Sequence, residues 1–109
     1  MDDAEFREWS ARAAAWGADY RETLRSRPVR AQSMPGAIAA RIEGAAPELP
    51  EPMDAIFADL DAIILPGITH WQHPRFFAYF PANASPVSVI AEYLTSAMAA
   101  QCMLWQTSP

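Results

Sequence analysis

Between Thr69 and Pro81, thirteen positions hold five aromatic rings (Trp71, Phe76, Phe77, Tyr79, Phe80), two imidazoles (His70, His73) and two prolines (Pro74, Pro81). That density exceeds what a surface loop requires and suits the wall of a binding site. His70 and His73 are three apart, so a helical backbone would set them on one face as a pair of metal ligands. Pro74 disfavours helical geometry at His73, and neither a cysteine nor a nearby carboxylate completes a ligand set. The reading is therefore two imidazoles hydrogen-bonded in a packed loop, with no metal. The prolines hold the run extended, which sends Phe77 and Tyr79 one way and Phe76 and Phe80 the other. Such a wall fits a flat apolar ligand, with the Tyr79 hydroxyl as a polar contact at its rim. A crossing of the hydrophobic core fits equally well, and is the preferred reading for Phe76 and Phe77.

Other reactive groups are poorly supported. Ser85, Ser88, Ser96 and Ser108 offer hydroxyls, but none sits in a Gly-x-Ser-x-Gly elbow and no base is paired with them. Glu92 is the only charged residue from Phe76 to Pro109; a solitary carboxylate of this kind is expected to point outward or to meet an arginine. All eight cations are arginines, so chemistry that needs a lysine amine must find it outside these 109 residues. The single cysteine, Cys102, excludes an internal disulfide framework and a thiolate cluster, and makes a reducing, cytoplasmic setting the default.

Three helices and two connections must position these side chains. The first helix spans about residues 4–26, with Phe6, Trp9, Ala13, Trp16, Tyr20 and Leu24 at three- and four-residue steps. Asp2 and Asp3 suit its positive end, and Arg25 and Arg27 the other. So many rings on one stripe imply docking, and Gly17 beside Trp16 suggests close approach of another backbone. A connection from Arg27 to Pro52 carries five prolines, which forbids a long helix, although Gly36–Glu43 could form two turns. It is read as an extended crawl anchored by Val29, Met34, Ile38, Ile42 and Leu49. The second helix, about 53–65, puts Ile56, Leu60 and Ile63 or Ile64 on one face and Asp54, Asp59 and Asp61 toward solvent, and Pro66-Gly67 stops it. Ser85-Pro86 opens a third helix running to about Ala100.

With 51% apolar and 19% charged residues, the chain carries more apolar material than one core of this size hides easily. The Phe76–Pro109 stretch, nearly bare of charge and ending without a polar tail, is read as part of something larger. The net charge of −5 with no basic run argues against a nucleic-acid partner. The N-terminus is acidic and unlike a secretory signal, and polar residues interrupt the one apolar stretch that could span a membrane.

Several blocks of this sequence resemble the group II pyridoxal-phosphate-dependent amino-acid decarboxylases, in particular the aromatic-L-amino-acid decarboxylases. They are Glu5-Phe6-Arg7, Pro66-Gly67-Ile68-Thr69-His70-Trp71, the aromatic run from His73 to Pro81, and the closing Met103-Leu104-Trp105-Gln106-Thr107-Ser108-Pro109. The resemblance covers essentially the whole chain. It implies a mainly α, extended three-helix N-terminal segment, normally docked on a transferase-like α/β domain that these residues do not include. Residues 1–84 would be a dimerisation segment, with the aromatic loop at 69–84, and residues 85–109 a helix and the start of the link toward the cofactor-binding domain. The parent enzyme would be a cytoplasmic homodimer releasing carbon dioxide from an aromatic amino acid with pyridoxal 5'-phosphate, although some relatives form an aldehyde.

Carried over position by position, Trp71, Tyr79, Phe80, Pro81 and Ala82 would border the pocket for the substrate ring. Gln101 and Met103 would reach into the pocket of the other subunit. Ala82 stands where relatives often have threonine or serine, so a hydroxyl contact is lost, and Met103 stands where animal enzymes tend to have phenylalanine. The cofactor's lysine, the aspartate for its ring nitrogen and the histidine stacked on it would all lie outside these residues, leaving this polypeptide inert by itself. The alternative is a freestanding helical module that oligomerises or binds another protein through its aromatic stripe.

Overall fold

A computed structural model of the chain describes residues 1–42, 44–80 and 84–106. Helix α1 runs from Asp3 to Thr23 and tightens into a 3₁₀ turn at Leu24–Ser26. It starts where it does because Asp2 accepts from the amides of Ala4 and Glu5 while Glu5 reaches back to the Asp2 amide, a reciprocal capping box. The proline-rich connection contains one 3₁₀ turn, Ala39–Arg41, rather than two turns of helix. Helix α2 spans Met53–Asp59; the chain then widens into a π turn over Leu60–Ile64 and narrows to a 3₁₀ turn at Leu65–Gly67. Pro66 and Gly67 thus end the helical path as expected. Helix α3, Pro86–Met98, begins with Ser85 accepting from the Ser88 amide at 3.2 Å and ends at Ala99 in the left-handed conformation. The fold is helical, with no strand among the described residues.

The aromatic stripe of α1 docks on this chain's own α2. Trp9 packs on Phe57 with centroids 5.3 Å apart, and the Arg12 guanidinium lies 4.2 Å over the Trp9 ring. Arg12 also pairs with Asp54 at 2.7 Å, and the Trp16 indole N–H donates to Asp61 at 2.7 Å. Two of the three aspartates assigned to solvent therefore face α1. Seven residues is nearly two helical turns, so Asp54 and Asp61 share a stripe that meets the Arg12–Trp16 step.

The connection touches the rest of the chain at fewer points than its apolar residues suggest. Val29 and Ile38 are half-buried, whereas Met34, Ile42 and Leu49 are exposed. The close-approach glycine is Gly67, where a Cβ would lie 2.7 Å from Ile38 Cγ1; nothing stands within 4 Å of a Cβ on Gly17. Gly67 must stay small because Ile38 sits over the end of the second helical path.

What the chain buries is little. Among the described residues only Leu24, Leu65, His70 and His73 are buried. The radius of gyration is 17.1 Å, against about 13 Å for a compact domain of this length. The accessible surface is 9172 Å², roughly 3,000 Å² more than a folded monomer of this mass ordinarily exposes.

Candidate functional site

The aromatic loop is built outward from two buried imidazoles. The His70 amide donates to the Val29 carbonyl at 2.8 Å, and His70 Nδ1 shares a 2.8 Å hydrogen bond with the Tyr20 hydroxyl of α1. Tyr20 is held in turn by stacking on Trp16, centroids 5.5 Å apart and planes 8° from parallel, and by the Arg27 guanidinium 5.2 Å from its ring. Burial, then the charges of Arg27 and His73, keep the His70 pKa below the ordinary histidine value. Burial raises the Tyr20 pKa, partly opposed by Arg27. The pair is a neutral imidazole and a neutral phenol.

From His70 the chain advances in three-residue turns: the His73 amide donates to the His70 carbonyl, and the Phe76 amide to the His73 carbonyl, each at 2.9 Å. His73 Nδ1 accepts from the Arg75 amide at 3.0 Å, which puts the ring proton on Nε2; that atom is buried without a partner among the described residues. Both histidines are thus packed and hydrogen-bonded, as the sequence reading expects, His73 within the loop and His70 to Tyr20 of α1. No group of three or more histidines, cysteines or acids gathers as a metal site among the described residues.

The rings do not alternate as an extended run would place them. Phe76 and Tyr79 both pack on Trp71, at centroid distances of 4.9 and 5.6 Å, because the chain turns at residues 71–75 and Tyr79 adopts a left-handed φ of 56°. The wall is therefore Trp71 with Phe76 and Tyr79 packed on it. Phe77 is 90% exposed, so the core role assigned to it does not hold within this chain; Phe76, half-buried, is packed. Tyr79 is 84% and Phe80 93% exposed, and Trp71 is exposed too, at 41%. Pro81 and Ala82 lie outside the described residues. Gln101 and Met103 follow α3, both exposed, and Gln101 is engaged in an interaction of its own. Glu92 is exposed, as expected of a lone carboxylate on an apolar helix.

Two open clefts lie elsewhere: one between α1 and α2, lined by Arg12, Trp16, Asp54, Phe57 and Asp61, the other beside the proline-rich connection near Arg41, Glu51 and Ile64. Neither contains a ring of the aromatic loop.

A profile of the pyridoxal-dependent decarboxylase conserved domain matches residues 35–109. The chain belongs to the pyridoxal-dependent decarboxylase family. It is 38% identical over all 109 residues to the phenylacetaldehyde synthase of Arabidopsis thaliana and to the aromatic-L-amino-acid decarboxylase of Rattus norvegicus, spanning 22% and 23% of those proteins. Its fold superposes on the crystal structure of Catharanthus roseus tryptophan decarboxylase in complex with L-tryptophan with a TM-score of 0.91 at 37% identity, covering the whole of this chain and 24% of that one. The chain thus corresponds to somewhat less than a quarter of the length of these decarboxylase-family relatives.

The family's cofactor asks for an amine to attach to, an acid for its ring nitrogen and donors for its phosphate. This chain has no lysine. Arg12 is engaged with Asp54, Arg21 with the Ala84 carbonyl and Arg27 with Tyr20 and Thr23. The two histidines are buried inside the loop. What the described residues of the loop offer is an aromatic surface. No helix among the described residues is long and apolar enough to cross a membrane.

Proposed function

We propose that this chain is the N-terminal dimerisation and substrate-pocket-lining part of a pyridoxal-phosphate-dependent decarboxylase of aromatic L-amino acids, which yields an amine and carbon dioxide. Trp71, Tyr79, Phe80, Pro81 and Ala82 border the space for the substrate's ring, and Gln101 and Met103 extend toward the pocket of the second subunit. Residues 1–84 serve subunit contact, and residues 85–109 begin the link to a cofactor-binding α/β domain that supplies the lysine. The enzyme works in the cytoplasm, where Cys102 stays reduced. The 109 residues alone are inert.

The observation that carries this reading is the open aromatic wall: Tyr79 stacks on Trp71 and, with Phe80, stands almost fully exposed, in a loop otherwise anchored by buried, hydrogen-bonded histidines. Rings left bare on so firm a base are suited to contact a ligand or another protein surface. The excess of roughly 3,000 Å² over a self-sufficient monomer is of the size that obligate interfaces bury. A freestanding oligomerisation module would use the same bare surface, but it gives the aromatic loop no task.

The test is a chimaera in which this chain replaces the corresponding first part of the Catharanthus roseus tryptophan decarboxylase. The expected result is a dimer that binds pyridoxal phosphate and releases carbon dioxide from an aromatic amino acid, with the catalytic efficiency falling at least tenfold in Tyr79→Ala. The isolated chain mixed with pyridoxal phosphate should release none. A cofactor-loaded chimaera indifferent to Tyr79→Ala, or carbon dioxide release by the isolated chain, would overturn the proposal.

A further inference from the structure

The wall formed by Trp71, Phe76 and Tyr79 is secured from both sides by two consecutive residues of α1. Tyr20 holds its beginning through the hydrogen bond to His70 Nδ1. Arg21, the next residue, donates through Nη1 to the carbonyl of Ala84, beyond the exposed tip. Adjacent helical residues diverge by about 100°, so this one turn of α1 reaches the loop at two separate places. We infer that Tyr20 and Arg21 are positioning residues that set the geometry of the aromatic wall through His70 and Ala84, without themselves touching a substrate.

The route from Tyr20 to the rings is contiguous. His70 precedes Trp71 directly, and its carbonyl accepts from His73, whose carbonyl accepts from Phe76. Phe76 and Tyr79 then both pack on Trp71. A displacement of His70 is therefore delivered to all three rings through hydrogen-bonded turns rather than absorbed by a free linker. Tyr79 adds a second reason for anchoring. A non-glycine residue at φ 56° persists only where its surroundings hold it, and among the described residues Tyr79 is supported by its stack on Trp71. Tyr20 is itself fixed, in contact with the Trp16 ring and the Arg27 guanidinium, with Trp16 bonded to Asp61. The α1–α2 contact and the wall are thus mechanically joined at one tyrosine.

This inference deepens the proposed function and rests on its assignment of the wall to the substrate, but its test needs neither substrate nor cofactor. The chain labelled with 5-fluorotryptophan has four fluorine resonances, one for each tryptophan, and Trp71→Phe assigns the one of interest. Tyr20→Phe keeps the ring in contact with Trp16 and Arg27 and removes only the hydroxyl; Arg21→Met removes the donor to Ala84, and Arg21→Lys restores one. The expected result is a shifted or broadened Trp71 resonance in Tyr20→Phe and in Arg21→Met, a wild-type Trp71 resonance in Arg21→Lys, and an unmoved Trp9 resonance throughout. A merely structural role would move Trp9 and Trp71 together. The inference is overturned if Trp71 stays put in both Tyr20→Phe and Arg21→Met, if Arg21→Lys shifts it as far as Arg21→Met, if all four resonances move as a set, or if the unsubstituted chain gives no distinct Trp71 resonance. An inactive chimaera would instead remove the substrate assignment and leave the tether standing.

Discussion

The α1–α2 pair with its histidine cluster and the region from Phe77 through α3, where Glu92 is the one charged residue, end in opposite states. In the first, Trp9 meets Phe57, Trp16 meets Asp61, Tyr20 meets His70, and Leu24 and Leu65 are buried. In the second, Phe77, Tyr79, Phe80, Val87, Ile90, Leu94 and Met98 are all exposed, and the bond from the Tyr93 hydroxyl to Ser10 Oγ at 2.9 Å is a polar link from α3 back to α1. The difference lies in the partners available within the chain. Rings on α1 are matched by polar and aromatic groups on α2 and the loop; the apolar face of α3 has no such counterpart among the described residues.

The contrast is broken most directly by truncating one side chain from each region. Leu65→Ala should cost about 2–3 kcal/mol, since a buried leucine loses both transfer energy and packing, and in so small a core that should abolish a cooperative thermal transition. Phe80→Ala removes a larger side chain, yet it should change stability by less than about 0.5 kcal/mol because the ring is already in water. Circular dichroism melts of the two variants read both effects. Equal losses would mean that Phe80 is covered within the chain after all.

Acidification sharpens the same contrast at His70. Its folded-state pKa lies below the ordinary value, so between the two the unfolded chain binds more protons and stability rises with pH. The contribution is fully present above about pH 6.5 and is lost as the pH falls through that value toward the folded-state pKa. Urea midpoints should drop between pH 7.5 and 5.5, and His70→Gln should remove most of that drop. A smaller effect is expected at the start of α1, where Asp2→Ala deletes the capping box at a cost of about 1 kcal/mol, read as a lower melting temperature with the α3 face untouched.

Much of the helical frame was legible because its signals are local. Ser85-Pro86 opens α3, Pro66-Gly67 closes the second helical path, and the ring spacing of α1 gives its extent to within three residues. The Asp2-x-x-Glu5 capping box was legible too, although attention to helix charge alone misses it. The packed state of His70 and His73 followed from Pro74 and the lack of further ligands. What escaped depends on distant contacts or on single backbone torsions. Tyr20 and His70 are 50 positions apart, and Arg21 and Ala84 are 63 apart, so nothing near either residue announces the pair. The left-handed turn at Tyr79 reversed the expected alternation of rings, since one positive φ redirects every side chain that follows it. Gly67, not Gly17, is the close-packed glycine because Ile38 folds over it, a contact without a sequence period.

The family was legible in the aromatic run itself, whereas the wall's composition, Phe76 and Tyr79 both packed on Trp71, needed the fold. That difference matters for function, because Phe77, Tyr79 and Phe80 are all left open while Tyr79 alone of them carries a left-handed φ.

Sedimentation velocity of the isolated chain over a range of concentrations tests most directly whether its bare face is built to be covered. The account predicts concentration-dependent association beyond the monomer, driven by α3 and the exposed rings. A compact monomer at every concentration, with the frictional ratio of a globular protein, would contradict it.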